Sequence, residues 1–201
     1  SGGRVFGTMI SIARNPKWIP ILDGVGLDYV VIDTEHNYRS RGELGDFLIM
    51  MNTSGVVPIV RIPIPDSHYV TMAMDAGAQG VLAPYCETVE QVREVVGAAK
   101  WRPLKGEAVD RVVATGEHIS DATRAYLEDR NKNSICIIGI ESREAVDNLE
   151  EMLKVPGIDG IFVGPNDMSI SLGIPDQYDQ KVYQATVKKV IDMSEAHGIA
   201  T

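Results

Sequence analysis

Ile138-Gly139-Ile140-Glu141-Ser142 is followed, after the length of about one βα unit, by Gly160-Ile161-Phe162-Val163-Gly164-Pro165-Asn166-Asp167. Each stretch is typical of a buried strand that ends at a carboxylate. Because the carboxyl ends of parallel strands converge on one face of a sheet, Glu141 and Asp167 are expected to lie side by side. Carboxylate oxygens are the ligands that hard cations prefer, so this pair indicates chemistry at a divalent metal.

The composition favours one soluble globular domain over residues 1–201. The formal net charge is −9 and the lysines and arginines are scattered, which argues against a nucleic-acid or anionic-membrane partner. No apolar run approaches the roughly 18 residues of a membrane span, and no signal-like segment opens the chain, so a cytoplasmic location is expected. Cys86 and Cys136 are too few for a disulfide scaffold and are predicted to be reduced core residues.

Seven apolar runs alternate with segments of helical period, a pattern that predicts repeated βα units. The predicted strands are 5–10, 29–32, 56–60, 80–83, 135–140, 160–163 and one that starts at Ile199. Seven steps in one direction favour an eight-stranded (β/α)8 barrel over a doubly wound sheet. The barrel is expected to lack its last βα unit in this chain. Residues 105–133 interrupt the repeat, as a lid or substrate loop would.

Two side chains at predicted strand ends could act on a substrate. His36, in Ile32-Asp33-Thr34-Glu35-His36, could be a general base near neutral pH, or it could be a hydrogen-bonded loop histidine. Arg61 ends the next strand and could clamp a substrate carboxylate in bidentate geometry, or form a structural salt bridge. Asp75 lies late in a helix, where the macrodipole disfavours an acid, so it either has a specific partner or is a plain surface aspartate.

Glu141 and Asp167 provide two protein ligands, which is enough for Mg²⁺ or Mn²⁺ when waters and substrate oxygens complete the octahedron. The alternative for Asp167 is that it caps a short helix starting at Met168. A catalytic zinc would need three ligands of the His or Cys type, and no suitable cluster is present. Every lysine falls in a helix or loop pattern rather than at a strand end, which disfavours imine chemistry.

Six motifs occur together in one order over nearly the whole chain. They are Asp33-x-Glu35-His36, Val60-Arg61-Ile62-Pro63, Asp75-Ala76-Gly77-Ala78-Gln79-Gly80, Leu82-Ala83-Pro84, Ile140-Glu141 and Gly164-Pro165-x-Asp167. Each motif alone is weak. In register with one fold, they resemble the HpcH/HpaI class II pyruvate aldolases.

The resemblance implies a (β/α)8 barrel that cleaves 4-hydroxy-2-oxo acids, such as 2,4-dihydroxyhept-2-ene-1,7-dioate or 2-keto-3-deoxy sugar acids, into pyruvate and an aldehyde. It also implies a place in aromatic compound catabolism and a homo-oligomer, by analogy a hexamer. Glu141 and Asp167 would hold the divalent metal, with Mg²⁺ or Mn²⁺ preferred and Co²⁺ as a further option.

The resemblance also implies a role for each remaining site residue. Arg61 would bind the keto oxygen or carboxylate, and His36, aided by Asp75, would be the base through a metal-bound water. Gly164 and Pro165 would contact substrate.

One loop departs from the pattern of the resembled family. Members usually have a Pro-Pro-x-Gly-x-Arg-Gly type loop, whereas this chain has Arg102-Pro103-Leu104-Lys105-Gly106-Glu107-Ala108, which bears on the range of substrates. Two other functions stay open. One is a citrate lyase β-like carbon–carbon lyase acting on a CoA thioester, although the sequence contains no basic cluster for CoA phosphates. The other is a non-catalytic ligand-binding barrel, because a fold alone does not establish activity.

Overall fold

The computed structural model describes residues 3–22 and 24–201, and it has an α/β fold built on one parallel sheet. The six strands of this part of the chain lie in chain order, and each pairs in parallel with the next. They are β1 (Gly7–Ile10), β2 (Tyr29–Asp33), β3 (Val57–Arg61), β4 (Gly80–Ala83), β5 (Ile135–Ile140) and β6 (Gly160–Val163). The sheet is curled into a half-barrel, so the α/β class is confirmed and closure into eight strands is not shown.

Helices follow the strands and cover the outer face of the sheet. After a 3₁₀ turn (Pro16–Trp18) they are α1 (Ile19–Leu22), α2 (Arg41–Met51), α3 (Ser67–Asp75), α4 (Val89–Lys100), α5 (Glu107–Thr115), α6 (Asp121–Asn131), α7 (Arg143–Met152), α8 (Pro165–Ser171) and α9 (Lys181–Ala196). Local sequence sets several of the starts. Thr88 and Gln91 form a capping box at the start of α4, and Asp66 caps α3.

The strands are apolar on both faces, and alternation separates two clusters of buried side chains. Val31, Ile59 and Leu82 form a small cluster, while the intervening residues of the same strands join the large core under the helices. The small cluster lies on the face away from the helices, which is the concave face of the half-barrel. Any residue that continues this alternation past a strand end therefore points into the mouth above the small cluster.

The seventh predicted strand is present only as its first contact. Ala200 forms an isolated parallel bridge with Gly160, and the Ile161 amide donates to the Ala200 carbonyl at 2.8 Å. The interruption at 105–133 is largely helical: it forms α5 and α6, which pack on α4 and join its end to β5. The end of α4 and the start of β5, which this segment joins, both lie at the amino ends of the strands. The predicted lid would cover the carboxyl ends, and the described contacts do not support it.

Two further features bear on the sequence predictions: the state of the cysteines and the length of the apolar helices. Cys86 and Cys136 are buried and free, as expected. Across residues 3–22 and 24–201, no helix is both long and apolar enough to cross a bilayer.

Candidate active site

A buried arginine and two acids lie together at the ends of β2 and β3. Arg61 Nε donates to Asp33 Oδ1 at 2.9 Å, and its NH1 lies 3.2 Å from Glu35 Oε2. Asp33 and Arg61 are paired in the register of the two strands, and Glu35 is two residues further on, so all three point to the concave face. The guanidinium is thus fixed in the mouth. The salt-bridge alternative and the substrate-clamp alternative for Arg61 are compatible, because the arginine has donors beyond these two contacts.

Asp33 is held by several donors as well as by the arginine. Its Oδ1 accepts from the backbone N–H of Glu35 at 3.1 Å, and its Oδ2 accepts from Asn37 Nδ2 at 2.6 Å. Burial acts against ionisation of Asp33, but the hydrogen bonds from Arg61 and Asn37 outweigh it and the pKa of this carboxyl is lowered. Asp33 is therefore an anion that orients Arg61.

Glu141 continues β5 onto the concave face and is 2% exposed. Its Oε2 accepts from the backbone N–H of Tyr85 at 2.9 Å. Its Oε1 lies so close to Gly164 that a Cβ built at residue 164 would overlap it. The glycine at the end of β6 therefore provides the space in which the Glu141 carboxylate sits.

The acids of the mouth repel one another. Burial, followed by a smaller contribution from Glu35 and Asp167, raises the pKa of Glu141 against the opposing effects of Tyr85 and Arg61. Burial, followed by smaller contributions from Asp33 and Asp167, raises the pKa of Glu35, with Arg61 and His36 opposing. Glu35 Oε2 is buried with no hydrogen-bond partner, although Arg61 lies within ion-pair distance. This arrangement lacks positive charge, and a cation between the carboxylates would supply it.

Asp167 lies in the first turn of α8, directly after β6. The helix begins at Pro165 with Gly164 as its N-cap, so the idea that Asp167 caps a helix starting at Met168 is wrong. Its charge raises the pKa of both Glu141 and the Tyr85 hydroxyl, which places the Asp167 carboxylate in the same mouth. Pro165 lies on the exposed surface beside it.

His36 lies at the rim. Its Nε2 is 3.4 Å from Glu35 Oε2, and its side chain is 57% exposed. Asp75, the predicted aid to His36, ends α3, and Arg102 NH1 lies 3.1 Å from its Oδ1. A nine-residue helix is about 12 Å long, so Asp75 lies about that far along α3 from the strand end at which the helix starts. In the described part of the chain Glu35, and not Asp75, contacts the imidazole; a role for Asp75 beside His36 stays a prediction.

The residues of the mouth fit a hard divalent cation. Two carboxylates, from Glu141 and Asp167, are the usual protein share of an Mg²⁺ or Mn²⁺ site. Within residues 3–22 and 24–201, no group of three or more His, Cys, Asp or Glu is arranged to hold a metal. Two structural observations favour the cation: the Glu141 carboxylate is seated over Gly164, and the buried Glu35 Oε2 has ion-pair contacts but no hydrogen bond.

Tyr85 belongs to this site, although its sequence context does not point to it. Its φ is +51°, a left-handed conformation that is uncommon outside glycine, and this backbone carries the N–H that Glu141 accepts. Burial raises the pKa of its hydroxyl, followed by an interaction with Asp167. The position directly after Gly80-Val81-Leu82-Ala83-Pro84 is a strand end, the one signal that could have found it.

Comparison with known proteins shows the family of the chain. The family model described as HpcH/HpaI aldolase/citrate lyase matches residues 8–201. The chain belongs to the HpcH/HpaI aldolase/citrate lyase family. It is 31% identical over 204 residues to a hydroxypyruvate/pyruvate aldolase of Roseobacter denitrificans, covering 100% of this chain and 79% of that protein. The family assignment confirms the predicted class of enzyme, a carbon–carbon lyase.

Two solved structures share the fold. An HpcH/HpaI aldolase from Desulfitobacterium hafniense superposes with a TM-score of 0.83 at 30% identity, covering 98% of this chain and 76% of that chain. The citrate synthase SbnG superposes with a TM-score of 0.83 at 28% identity, covering 99% of this chain and 78% of that chain. The architecture found here is thus shared by one protein named as an aldolase and one named as a synthase.

Proposed function

We propose that this chain catalyses divalent-metal-dependent aldol cleavage of a 4-hydroxy-2-oxo acid to pyruvate and an aldehyde. The observation that carries the proposal is the buried Glu141 carboxylate, seated over Gly164 and facing Arg61 and Asp167 across one mouth. Glu141 and Asp167 would hold the metal, Mg²⁺ or Mn²⁺ before Co²⁺. When bound there, the cation would polarise the 2-oxo acid and offset negative charge that develops on its carbonyl oxygen.

The chain's own groups would divide the remaining work. Arg61, oriented by Asp33, would bind the carboxylate or keto oxygen of the substrate, so that its charge is nearest the oxygen that becomes enolate-like. His36 would take the proton of the C4 hydroxyl as the carbon–carbon bond breaks, and the neighbouring Glu35 carboxylate would stabilise the imidazolium that forms. Gly164 and Pro165 would line the substrate site beside Asp167.

Some features of the proposal rest on the family alone. They include the homo-oligomer, by analogy a hexamer, and the link to aromatic compound catabolism; the cytoplasmic location expected from the sequence is likewise part of the proposal. A role for Asp75 in aiding His36 is also kept as a proposal. In this chain Asp75 is 58% exposed beside Arg102, so Asp75→Asn should lower turnover only if assembly or substrate brings it to the site.

Deuterium exchange into the methyl group of pyruvate, followed by NMR, tests the proposal directly. The exchange should require added Mn²⁺ or Mg²⁺, should stop with EDTA, and should fall by about 100-fold or more in Arg61→Lys, which keeps the charge but loses the fork. Glu141→Gln should abolish it while keeping an oxygen for the Tyr85 amide. Glu144→Gln, an exposed acid in the first turn of α7, is the matched control.

The outcome separates the proposal from its rivals. Exchange that ignores EDTA, or that survives Glu141→Gln at the control rate, would contradict a metal-dependent enolate site. Because the superposed SbnG is a citrate synthase by name, condensation of pyruvate or a second oxo acid should be assayed beside cleavage. Turnover of a CoA thioester in place of a free acid would favour the citrate lyase β-like alternative.

A further inference from the structure

A separate cleft of about 280 Å³ lies between the starts of α2 and α3. It shares the ends of β2 and β3 with the candidate active site, because Thr34 and Pro63 line it. Thr34 lies between Asp33 and Glu35, and strand alternation turns it to the opposite face. The cleft therefore borders the active site from the outer side of the strand ends.

Two arginines of this cleft are held in place by neutral groups, and Arg39 is the first. It donates from NH2 to the Ala13 carbonyl at 2.5 Å, and its Cζ lies 4.9 Å from the centre of the Phe47 ring. The Nε of Arg39 is buried and has no hydrogen-bond partner. A guanidinium that is fixed by a carbonyl and a ring has no carboxylate in contact to neutralise its charge.

Arg41 is held in the same way on the other side of the cleft. Its Nε contacts Met72 Sδ at 2.6 Å, and its NH2 lies 3.4 Å from His68 Nε2. The partners of these contacts are a thioether and an imidazole, and neither of them is an anion. Both guanidinium groups thus have contacts within the chain that leave their charge unneutralised.

The cleft has no acid of its own. The chain has 28 acidic residues against 19 lysines and arginines, yet none of the described residues that line the cleft is Asp or Glu. Neither Arg39 nor Arg41 forms an ion pair in the part of the chain that the structure describes, 3–22 and 24–201. Burial, and then the positive charge of Arg14, lowers the pKa of Arg39 against the opposing charges of Glu43 and Asp33, neither of which lines the cleft. An anion bound in the cleft would add negative charge beside both guanidinium groups.

We propose that this cleft is an oxyanion site that takes the carboxylate or phosphate group of a small metabolite. A guanidinium fork matches both groups in geometry and charge, and the volume holds such a group with a few carbon atoms. Two sources share this chemistry. One is the far end of the substrate, reaching over the end of β2, and only this source rests on the proposed function. The other is a separate small anion that binds beside the active site.

Calorimetric titration of the metal-free protein with inorganic phosphate and with succinate tests the site without any turnover. Arg41→Gln should weaken the binding of at least one anion by about tenfold, the usual effect of losing one charged hydrogen-bond donor. Arg143→Gln is the matched control, since Arg143 is also exposed, also begins its helix after a serine N-cap, and lies outside the cleft. Arg39→Gln, checked for folding by circular dichroism, should weaken binding in the same direction.

Kinetics with two acceptor aldehydes identify the source. The ratio of kcat/KM for 4-oxobutanoate to kcat/KM for butanal, each condensed with pyruvate, should fall about tenfold in Arg41→Gln if the cleft takes the far end of the substrate. Weaker phosphate binding with an unchanged ratio would instead identify a separate anion. The cleft proposal is overturned if neither anion binds the wild-type protein at millimolar concentration, or if Arg41→Gln and Arg143→Gln weaken binding equally. An inactive wild-type protein would refute the proposed function and leave the titration result valid.

Discussion

The acidic side chains at the two ends of the sheet differ in how far their charge is neutralised. At the amino end, Asp159 Oδ2 accepts from the Cys136 amide at 2.7 Å and lies 2.5 Å from Lys100 Nζ, so the acid has both a donor and a cation. At the carboxyl end, Glu35 and Glu141 interact with the guanidinium of Arg61, and the charge of Asp167 raises the pKa of both acids. The first end is arranged for stability, whereas the second carries repulsion that a ligand would relieve.

Gly164→Ala is the change expected to disturb the carboxyl end most. The φ of Gly164 is −79°, so alanine fits the backbone, and the whole effect should come from a Cβ that overlaps Glu141 Oε1. Displacing this proposed metal ligand should weaken Mn²⁺ binding, measured by electron paramagnetic resonance, by about 100-fold. Gly160→Ala at the other end of β6 is the control, because its Cβ would meet Ile137 at an ordinary 3.6 Å. Equal losses in the two variants would refute the steric explanation.

Tyr85→Phe should have the next largest effect. The variant keeps the N–H that Glu141 accepts and removes only the hydroxyl that interacts with Asp167. Losing this support of a metal ligand should weaken Mn²⁺ binding by about tenfold.

Tyr178→Phe is a close control for that experiment. The Tyr178 hydroxyl donates to Asp176 at 2.8 Å, so Tyr178, like Tyr85, interacts with an aspartate. In this pair the aspartate has the positive φ, and both residues lie outside the mouth. If Tyr85→Phe binds Mn²⁺ as tightly as Tyr178→Phe does, the hydroxyl has no part in positioning Asp167.

The contrast between the ends also explains what the sequence could predict. Arg61, Glu141 and Asp167 follow apolar runs, and the rule that parallel strand ends converge is enough to bring them to one mouth. The rule gives no contact between particular atoms. Tyr85 and Glu141 are 56 residues apart, and the hydrogen bond between them depends on a backbone φ that no tyrosine signals.

Asp75 illustrates the same limit from the other side. Its position late in a helix favoured a specific partner, and within the described chain Arg102, 27 residues further on, contacts it; an interaction with His36 stays a prediction. Helix polarity fixes which end of the fold a residue occupies, and it would have placed Asp75 away from the strand ends. Charge alone could not choose between the two partners.

At the amino end, Asp159→Ala should reduce stability and leave the metal site intact. The change removes the acceptor of the Cys136 amide and the counter-ion of Lys100. Because the Asp159 side chain is 43% exposed, water can replace part of what is lost, and a decrease of about 1 kcal/mol in the free energy of unfolding is expected. Asp192→Ala, in the exposed pair with Lys188, should cost less. A fall in Mn²⁺ affinity in Asp159→Ala would break the separation between the two ends.

The smallest expected effect is a pH dependence that belongs to the carboxyl end alone. The folded state raises the pKa of Glu35 and Glu141 above the ordinary value of 4.5, so above that pH the folded chain binds more protons than the unfolded chain, and its stability falls as pH rises. Glu141→Gln removes one of these groups, so its stability relative to wild type, measured by urea unfolding in EDTA, should increase between pH 4.5 and neutrality. Glu144→Gln should show no such trend. Added Mn²⁺ should stabilise the wild type near neutral pH and not the Glu141→Gln variant, because a bound cation replaces the missing positive charge only where both carboxylates remain. A difference between wild type and variant that stays constant with pH would mean that folding does not raise the pKa of Glu141.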